Sequence, residues 1–369
     1  MEEKRIKRVL HVLSGLHTGG VQSFVMNYYR AIDKDKIQFD FAVMDEVEGD
    51  LEEEALSLGA RIFRLRSITD DRSGCLQDLI AVLKQNPEIS VVHAHLNFLN
   101  YYVLKVARKC NINVRVSHSH SNYPASSLIV RLARIFLRQG IRRNATKMLA
   151  CSNVAGVWLY GKRGVKNKNF RLIYNAIDYK PYFKALKQRN EIRKELGLSN
   201  ETVFVHVGSM SPVKNQNFLV DVMKYLVQQD KNKKLLLIGD GDLRELVEKK
   251  CYESSLRENI SFFGNRRNVC DFLAAGDCFV LPSLFEGLSL VTIEAQFSGL
   301  PCVISEHVPK DVILNESTLR IPLDVKKWCK EMQKIEKGSI AVRENRAEKL
   351  VGGNYDIELQ VGNLLDVYI

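Results

Sequence analysis

The chain has 369 residues, enough for two domains or three of ordinary size. It carries 54 Lys and Arg against 43 Asp and Glu, a net charge of +11, and 46% of its residues are hydrophobic. These values exclude a disordered chain, a collagen-like sequence and a disulfide-rich miniprotein, and they predict a soluble globular protein with sizeable cores.

The positive charge is concentrated in the first half of the chain. Residues 1–180 hold 28 basic and 17 acidic residues, whereas residues 181–369 hold 26 of each. No acidic residue lies between Glu88 and Asp178, although that stretch contains 15 Lys or Arg. Such a cationic region indicates an anionic partner, either nucleic acid or a membrane surface.

The sequence shows no targeting or membrane-spanning segment. The first apolar run stops at Gly15 without a signal-peptide cleavage site. The longest uncharged stretch, Ile89 to Leu104, is only 16 residues and contains two histidines, so it is too short and too polar to cross a bilayer. The eight cysteines have no C-x-x-C spacing, which indicates reduced core residues in a cytosolic protein.

Short apolar runs rich in β-branched residues alternate with helix-length amphipathic segments throughout. This alternation is typical of an α/β fold with parallel strands and crossover helices. In the first half the predicted strands are Arg8–Leu13, Phe39–Met44, Ala60–Leu65, Ser90–His93, Val114–Ser117, Met148–Cys151 and Phe170–Tyr174. In the second half they are Val203–Val207, Leu235–Ile238, Ile260–Phe263, Cys278–Leu281 and Cys302–Ile304.

The alternation lapses at a proline-containing loop near residues 175–182 and then restarts, so the domain boundary is placed between about 178 and 198. We expect a Rossmann-like domain over 1–180 and a second one over 198–352. A final helix over 355–369 has an apolar stripe and is expected to pack back on the first domain. Two facing doubly wound domains place a ligand cleft at the carboxyl ends of their strands.

The segment from Leu281 to Ala295 carries the clearest chemical signal. A strand ends, a loop follows, and a helix begins near Ser289, which leaves the backbone N–H groups of Gly287, Leu288 and Ser289 suited to a diphosphate. Glu286 cannot bind phosphate and is better suited to sugar hydroxyls or to a developing positive charge. Glu294, two helical turns inside, either accepts hydrogen bonds from a ribose or is an ordinary acid on a helix surface.

With these residues the sequence resembles the retaining glycosyltransferases of family GT4, which have the GT-B fold and a Glu-x7-Glu signature. Glu286 and Glu294 match that spacing. The resemblance extends over most of the chain and is closest to bacterial capsular and exopolysaccharide enzymes. Its other matching segments are Gly15 to Gln22, Asn175 to Asp178, Gly208 to Asn215, Gly239 to Gly241 and Asp277 to Ser305.

The resemblance implies that Gly208 and Lys214 bind the donor diphosphate. The family has an arginine where this chain has Ser209. Arg266 or Arg267 could replace it, or both are simply solvated surface charges.

In the family, the loop that here contains Gly19 and Gly20 faces donor phosphate and acceptor; the alternative is a plain tight turn. These glycines do not form the G-x-G-x-x-G dinucleotide fingerprint. Asp240 and Asp242 form an Asp-x-Asp, which matches a family turn and is interpreted as a turn and helix cap, with no metal or other cofactor required.

Two His-x-His pairs end predicted strands: His93 and His95, then His118 and His120. The resemblance implies that His118 contacts the donor sugar, with His120 as the second choice. His93 and His95 are equally well explained as structural histidines. A zinc site is the weaker alternative, because no cysteine or acid accompanies the four histidines in the sequence.

Arginines at 131, 134, 138 and 142 recur at helical spacing within the acid-free stretch. Arg131, Arg134, Arg138 and Arg142 are predicted to form one basic stripe suited to an anionic lipid surface, or else the solvated face of a core helix. Nucleic acid is the weaker partner, because the basic run lacks interleaved aromatic residues.

Together these features predict a retaining glycosyltransferase that moves a sugar from a nucleotide diphosphate, UDP rather than GDP, to a lipid-diphosphate-linked saccharide in bacterial surface polysaccharide synthesis. The protein is expected in the cytoplasm, peripherally bound to the inner face of the cytoplasmic membrane. The alternatives are a UDP-sugar 2-epimerase of the same fold and a basic protein that binds nucleic acid or membrane.

Overall fold

A computed structural model of the chain describes residues 6–17, 19–121 and 127–369. The chain divides into two units. The first comprises residues 1–178 and 354–369, and the second comprises residues 179–353.

The first unit is built on a sheet of seven parallel strands in the order β3-β2-β1-β4-β5-β6-β7. The direction of winding reverses between β1 and β4, so the unit is doubly wound, as predicted. The strands are β1 (Lys7–Leu13), β2 (Ile37–Val43), β3 (Ile62–Arg64), β4 (Ile89–Ala94), β5 (Val114–Ser119), β6 (Lys147–Ala150) and β7 (Phe170–Leu172). The crossover helices are α1 (Gly20–Ala31), α2 (Glu52–Ser57), α3 (Arg72–Gln85), α4 (Asn100–Lys109), α5 (Leu128–Asn144) and α6 (Asn153–Gly164).

The strands form where the sequence is continuously apolar because helices cover both faces of the sheet. In β1 every residue from Val9 to Leu13 is buried. Several helices begin where a side-chain oxygen accepts a hydrogen bond from the first turn: Asp71 caps α3, Ser127 caps α5 and Ser152 caps α6.

The second unit contains six parallel strands in the order β10-β9-β8-β11-β12-β13. The strands are β8 (Thr202–Val207), β9 (Lys233–Ile238), β10 (Ile260–Phe262), β11 (Cys278–Leu281), β12 (Cys302–Ser305) and β13 (Thr318–Ile321). The helices are α7 (Lys180–Lys187), α8 (Arg189–Glu195), α9 (Gln216–Gln229), α10 (Arg244–Glu253), α11 (Val269–Ala275), α12 (Leu290–Phe297), α13 (Val325–Gln333) and α14 (Ile340–Glu348).

Strand β13 was not predicted from the sequence. Its four residues include Arg320 and lie at the edge of the sheet, pairing with β12 alone. A short edge strand needs no continuous apolar run, so its pattern is weak.

The last helix, α15 (Ile357–Tyr368), belongs to the first unit and packs against α1. Leu364, Val367 and Tyr368 are fully buried in the same core as Phe24 and Tyr28 of α1. This confirms the expectation that the C-terminal helix packs on the first domain.

All eight cysteines are free thiols, six of them buried. Within the part of the chain that the structure describes, no helix is both long enough and apolar enough to cross a membrane.

Candidate active site

In the second unit, Lys214 and Glu286 meet at the carboxyl edge of the sheet. Lys214 follows β8 and Glu286 follows β11, and the two strands are neighbours. Lys214 Nζ lies 2.6 Å from Glu286 Oε1, with the two side chains 20% and 10% exposed. Ser283 Oγ donates a second hydrogen bond, also of 2.6 Å, to the same oxygen. The structure therefore brings together the predicted phosphate-binding cation and the predicted sugar-binding carboxylate.

Two glycines make room for the loop that carries Lys214. A Cβ on Gly208 would lie 3.3 Å from Cδ of Lys214, so the lysine stem runs directly over this glycine. Gly239 has a φ of +131°, and a Cβ there would lie 2.1 Å from the carbonyl oxygen of Gly208. Only glycine permits both this backbone conformation and this approach of one loop to the other.

Helix α12 begins beside the same loop with its first turn uncapped by a side chain. Ser289 stands at the cap position, but its Oγ accepts a hydrogen bond of 2.8 Å from Thr292 Oγ1. A Cβ on Gly287 would have no atom within 4 Å, so space is open in front of this turn. Backbone N–H groups at such a helix start can bind an anion.

Glu294 lies in α12 and is not an ordinary surface acid. Burial raises the pKa of its carboxyl to about 7, an effect that a hydrogen bond from the Tyr182 side chain partly opposes. A strongly raised carboxyl pKa is typical of a functional site. The sequence reasoning missed Tyr182, which lies in α7 and far from Glu294 in the chain.

The position of the expected family arginine is occupied by Ser209, which is exposed. Of the two candidate replacements, Arg266 is held by a hydrogen bond of 3.0 Å from its Nε to the carbonyl oxygen of Phe263. Arg267 is exposed, and the structure shows no ion pair for it among the described residues. Arg267 is therefore the freer cation.

The Asp-x-Asp segment forms a turn. Asp240 Oδ1 accepts a hydrogen bond from the Gly241 N–H at 2.8 Å, and Asp240 Oδ2 pairs with Arg244 at 2.9 Å. The Gly241 N–H and Arg244 lower the pKa of Asp240. These local partners agree with the predicted turn, but the first turn of α10 follows Leu243 without a side-chain cap, so Asp240 is not the predicted helix cap.

In the first unit, five histidines gather on three neighbouring strands. The four predicted ones are joined by His11 of β1, which the sequence reasoning missed because it lies alone within an apolar run. The rings form two hydrogen-bonded chains. In one, His93 Nε2 lies 3.2 Å from His118 Nδ1; in the other, His95 lies 3.0 Å from His11 and 2.9 Å from His120.

Burial keeps these imidazoles neutral. It lowers the pKa of His11 and of His120 to about 3, and it holds those of His93, His95 and His118 well below the ordinary value. Ring-to-ring and ring-to-tyrosine hydrogen bonds occupy seven of the ten ring nitrogens, and the other three have no partner among the residues that the structure describes.

The histidines include two groups of three, called triads here. In each triad, one ring nitrogen from each of the three histidines lies within 4.8 Å of the other two. The first consists of His11, His93 and His95, and the second of His95, His118 and His120. Neutral imidazole is the donor that Zn²⁺ prefers, so the triads have suitable chemistry for such an ion. The sequence alone could not show this proximity.

The glycine loop lies next to this cluster. Gly20 is the first residue of α1, and a Cβ on it would meet no atom within 4 Å. Phe24, one turn further, contacts His118 edge-on with ring centroids 4.8 Å apart. Gly19 is extended, with a φ of −172°.

The arginines of α5 do not form one exposed basic face, so that expectation is wrong. Arg138 donates hydrogen bonds to the carbonyl oxygens of Leu159 and Trp158 at 3.1 and 2.8 Å, and Arg142 donates to that of Tyr160. Arg134 lies over the ring of Trp158 at 5.3 Å. Burial lowers the pKa of Arg138 and of Arg142.

The exposed face of α5 is instead largely apolar. Its large side chains are 46% to 79% exposed, and they are Ile129, Leu132, Ile135 and Phe136. Arg131 of the predicted stripe remains exposed, as does Arg143 near the end of the helix. The face of the helix that carries most of the arginines therefore meets α6, where they donate hydrogen bonds to backbone carbonyls. The face that meets solvent is largely apolar, which is the reverse of the prediction.

Two doubly wound parallel sheets, one in each unit, are the architecture of the GT-B fold. The fold is shared with the crystal structure of Anabaena HepE in complex with UDP, at a TM-score of 0.78 and 17% identity, covering 98% of this chain and 100% of that one.

Sequence comparison gives the family. Residues 18–180 match the model described as Glycosyltransferase Family 4, and residues 201–337 match the one described as Glycosyl transferases group 1. The chain is 33% identical to the putative glycosyltransferase EpsF of Bacillus subtilis, over 98% of this chain and 96% of that protein. It is 24% identical to the Escherichia coli UDP-Gal:alpha-D-GlcNAc-diphosphoundecaprenol alpha-1,3-galactosyltransferase, over 80% and 79%. The chain belongs to glycosyltransferase family 4.

Proposed function

We propose that this glycosyltransferase moves a sugar from a UDP-linked donor, with retention at the anomeric carbon, to a lipid-diphosphate-linked saccharide during synthesis of a bacterial capsule, exopolysaccharide or O-antigen. The observation that carries the donor half is the Lys214–Glu286 pair beside the uncapped start of α12. The E. coli relative, whose name gives a UDP-linked donor and a lipid-diphosphate acceptor, supports the rest.

In the proposed reaction the bond from the anomeric carbon to the diphosphate oxygen breaks, and its electron pair leaves with the diphosphate. A hydroxyl of the acceptor forms the new bond on the same face and gives its proton to the departing phosphate oxygen. Lys214 and the N–H groups of Gly287, Leu288 and Ser289 stabilise the charge that develops on the diphosphate. No metal and no side-chain nucleophile take part in this scheme.

The other site residues take supporting roles. Glu294 binds the ribose hydroxyls, a task suited to a carboxylate held beside the Tyr182 hydroxyl. Glu286 binds hydroxyls of the donor sugar once the diphosphate competes for Lys214. The contact of His118 with the donor sugar, and those of Gly19, Gly20 and Gly208 with the donor, stay predictions from the family resemblance.

A thermal-shift panel tests the donor class, since a ligand that binds only the folded state raises the unfolding temperature. UDP and UDP-sugars should stabilise the protein more than GDP and GDP-sugars at equal concentration. Equal shifts with both nucleotides would contradict the choice of uridine. Conversion of a UDP-sugar to its epimer without any acceptor would instead identify the 2-epimerase.

We further propose that the first unit binds the anionic inner face of the cytoplasmic membrane through α5. The exposed apolar side chains can enter the boundary between headgroups and acyl chains, while Arg131 and Arg143 meet anionic headgroups. An apolar exposed face favours a membrane as the partner, because proteins bind nucleic acid through basic surfaces. Binding there would bring the enzyme to a lipid-linked acceptor.

A further inference from the structure

A buried hydrogen-bond chain runs from the C-terminal helix to His118. The Tyr368 hydroxyl lies 2.8 Å from His93 Nδ1, and His93 Nε2 lies 3.2 Å from His118 Nδ1. All three side chains are fully buried. The far nitrogen of the chain, His118 Nε2, has no hydrogen-bond partner among the described residues.

Each neutral imidazole carries one ring proton, so the chain has only two consistent arrangements. If Tyr368 donates to His93 Nδ1, then His93 must donate from Nε2 to His118 Nδ1, and His118 carries its proton on Nε2. If Tyr368 accepts, every proton moves to the opposite nitrogen, and His118 Nε2 becomes a bare acceptor. The two rings therefore always share one tautomer.

The two arrangements differ in how many buried groups they leave unpaired. When Tyr368 donates, only the His118 Nε2–H lacks a partner in the described structure. When Tyr368 accepts, its own O–H has no other partner among the described residues, and the His118 Nε2 lone pair is unpaired as well. Each unpaired buried polar group costs free energy, and the first arrangement leaves one such group where the second leaves two, so the first arrangement is favoured.

We propose that Tyr368, acting through His93, holds His118 in the Nε2–H tautomer, so that His118 offers a hydrogen-bond donor to a ligand oxygen. Tyr368 is thus a positioning residue, although it lies at the C-terminal end of α15, 250 residues after His118. Identification of that oxygen as a hydroxyl or phosphate oxygen of the donor rests on the proposed function. The tautomer assignment does not.

Long-range proton–nitrogen NMR of the full chain, labelled with ¹⁵N in its histidine rings, tests the proposal. It distinguishes a protonated from an unprotonated ring nitrogen, and the signals of His118 are assigned by their loss in His118→Gln. In the wild-type protein both His93 and His118 should be protonated on Nε2. In Tyr368→Phe the Nε2 signal of His118 should shift toward the unprotonated position, because nothing then fixes the proton on His93.

Tyr29→Phe is the matched control, since Tyr29 lies in the same core but its hydroxyl donates to Gln38 and not to a histidine. It should leave the His118 signals unchanged. A wild-type protein with Nδ1 protonated on His118 would overturn the proposal even if Tyr368→Phe does not fold. An unchanged His118 spectrum in folded Tyr368→Phe would overturn it too. Donor turnover in His118→Gln is measured separately, and full turnover there would refute the sugar contact but not the tautomer.

Discussion

Glu286 Oε1 accepts hydrogen bonds from two donors, Lys214 Nζ and Ser283 Oγ, each at 2.6 Å. The carboxylate thereby keeps the lysine in place at the carboxyl edge of the sheet while no phosphate neutralises it. In the proposed donor complex, a diphosphate with two negative charges competes for the lysine and releases Glu286 toward sugar hydroxyls. The proposal thus links donor binding to the availability of the carboxylate.

Replacing Lys214 by alanine should reduce kcat for sugar transfer by about 10²–10³-fold, the usual effect of losing one group that stabilises developing charge. Steady-state release of UDP from a UDP-sugar with acceptor measures this. Lys249→Ala, an exposed lysine of α10 in the same unit, is the control and should retain full turnover. Equal rates in the two variants would remove Lys214 from the site.

Glu294 makes the stability of the protein depend on pH. The unfolded chain ionises this carboxyl near 4.5 and the folded chain near 7, so between these values the folded state holds a proton that the unfolded state releases. This group therefore lowers the free energy of unfolding as pH rises from 4.5 to 7, by up to about 3 kcal/mol in total.

Glu294→Gln removes that titration. Urea unfolding should show the variant to be more stable than the wild type at pH 8 and closer to it at pH 4.5, while UDP should stabilise the variant less because an amide is a weaker acceptor for ribose hydroxyls. Glu253→Gln, at an exposed site in α10, serves as the control. If Glu294→Gln and the wild type show the same pH dependence, the carboxyl is not held in its raised-pKa environment.

Arg267 should supply the second cation that Ser209 lacks. Arg267→Ala is expected to raise KM for the UDP-sugar about tenfold, equivalent to about 1.4 kcal/mol of binding. Arg266→Ala should change it less, because the Arg266 guanidinium is already bonded to the carbonyl of Phe263. Initial rates over a range of donor concentrations measure both. A larger increase in KM for Arg266→Ala than for Arg267→Ala would show that Arg266 supplies the second cation.

The sequence predicted every strand except the edge strand β13, because continuous apolar runs mark strands covered on both faces. The family resemblance implied that Lys214 and the backbone of residues 287–289 bind the same diphosphate, and the structure has Lys214 beside Glu286. The sequence could not predict that Tyr182 and His11 belong to these clusters. Their roles depend on which side chains the crossover helices and neighbouring strands bring together, and no local pattern records that.

The arginines of α5 show a different limit. Their spacing correctly predicted that they share one face of a helix, but periodicity does not say whether that face meets solvent or protein. Arginine side chains can turn inward when backbone carbonyls are available to accept their hydrogen bonds. Here Arg138 and Arg142 turn toward the carbonyls of Trp158, Leu159 and Tyr160 and donate hydrogen bonds to them.

Membrane binding should therefore depend on the apolar side chains of α5 more than on its arginines. Combined substitution of Ile129, Leu132 and Phe136 by serine removes side chains that contribute roughly 1.5–3 kcal/mol each when fully buried in an apolar phase. Flotation with vesicles that contain anionic lipid should lose most of the bound protein. Leu246→Ser, at a 53% exposed apolar residue of α10, should leave flotation unchanged.

Arginine variants separate the two faces of the helix. Arg131→Gln, at an exposed position, should weaken flotation modestly and make it less sensitive to salt, with no change in the unfolding temperature. Arg138→Gln should instead lower the free energy of unfolding by about 1–3 kcal/mol, because it removes the two hydrogen bonds that Arg138 donates to the carbonyls of Leu159 and Trp158. Full flotation of the triple serine variant, together with loss of flotation in folded Arg138→Gln, would mean that the arginine face is the one that meets the lipid.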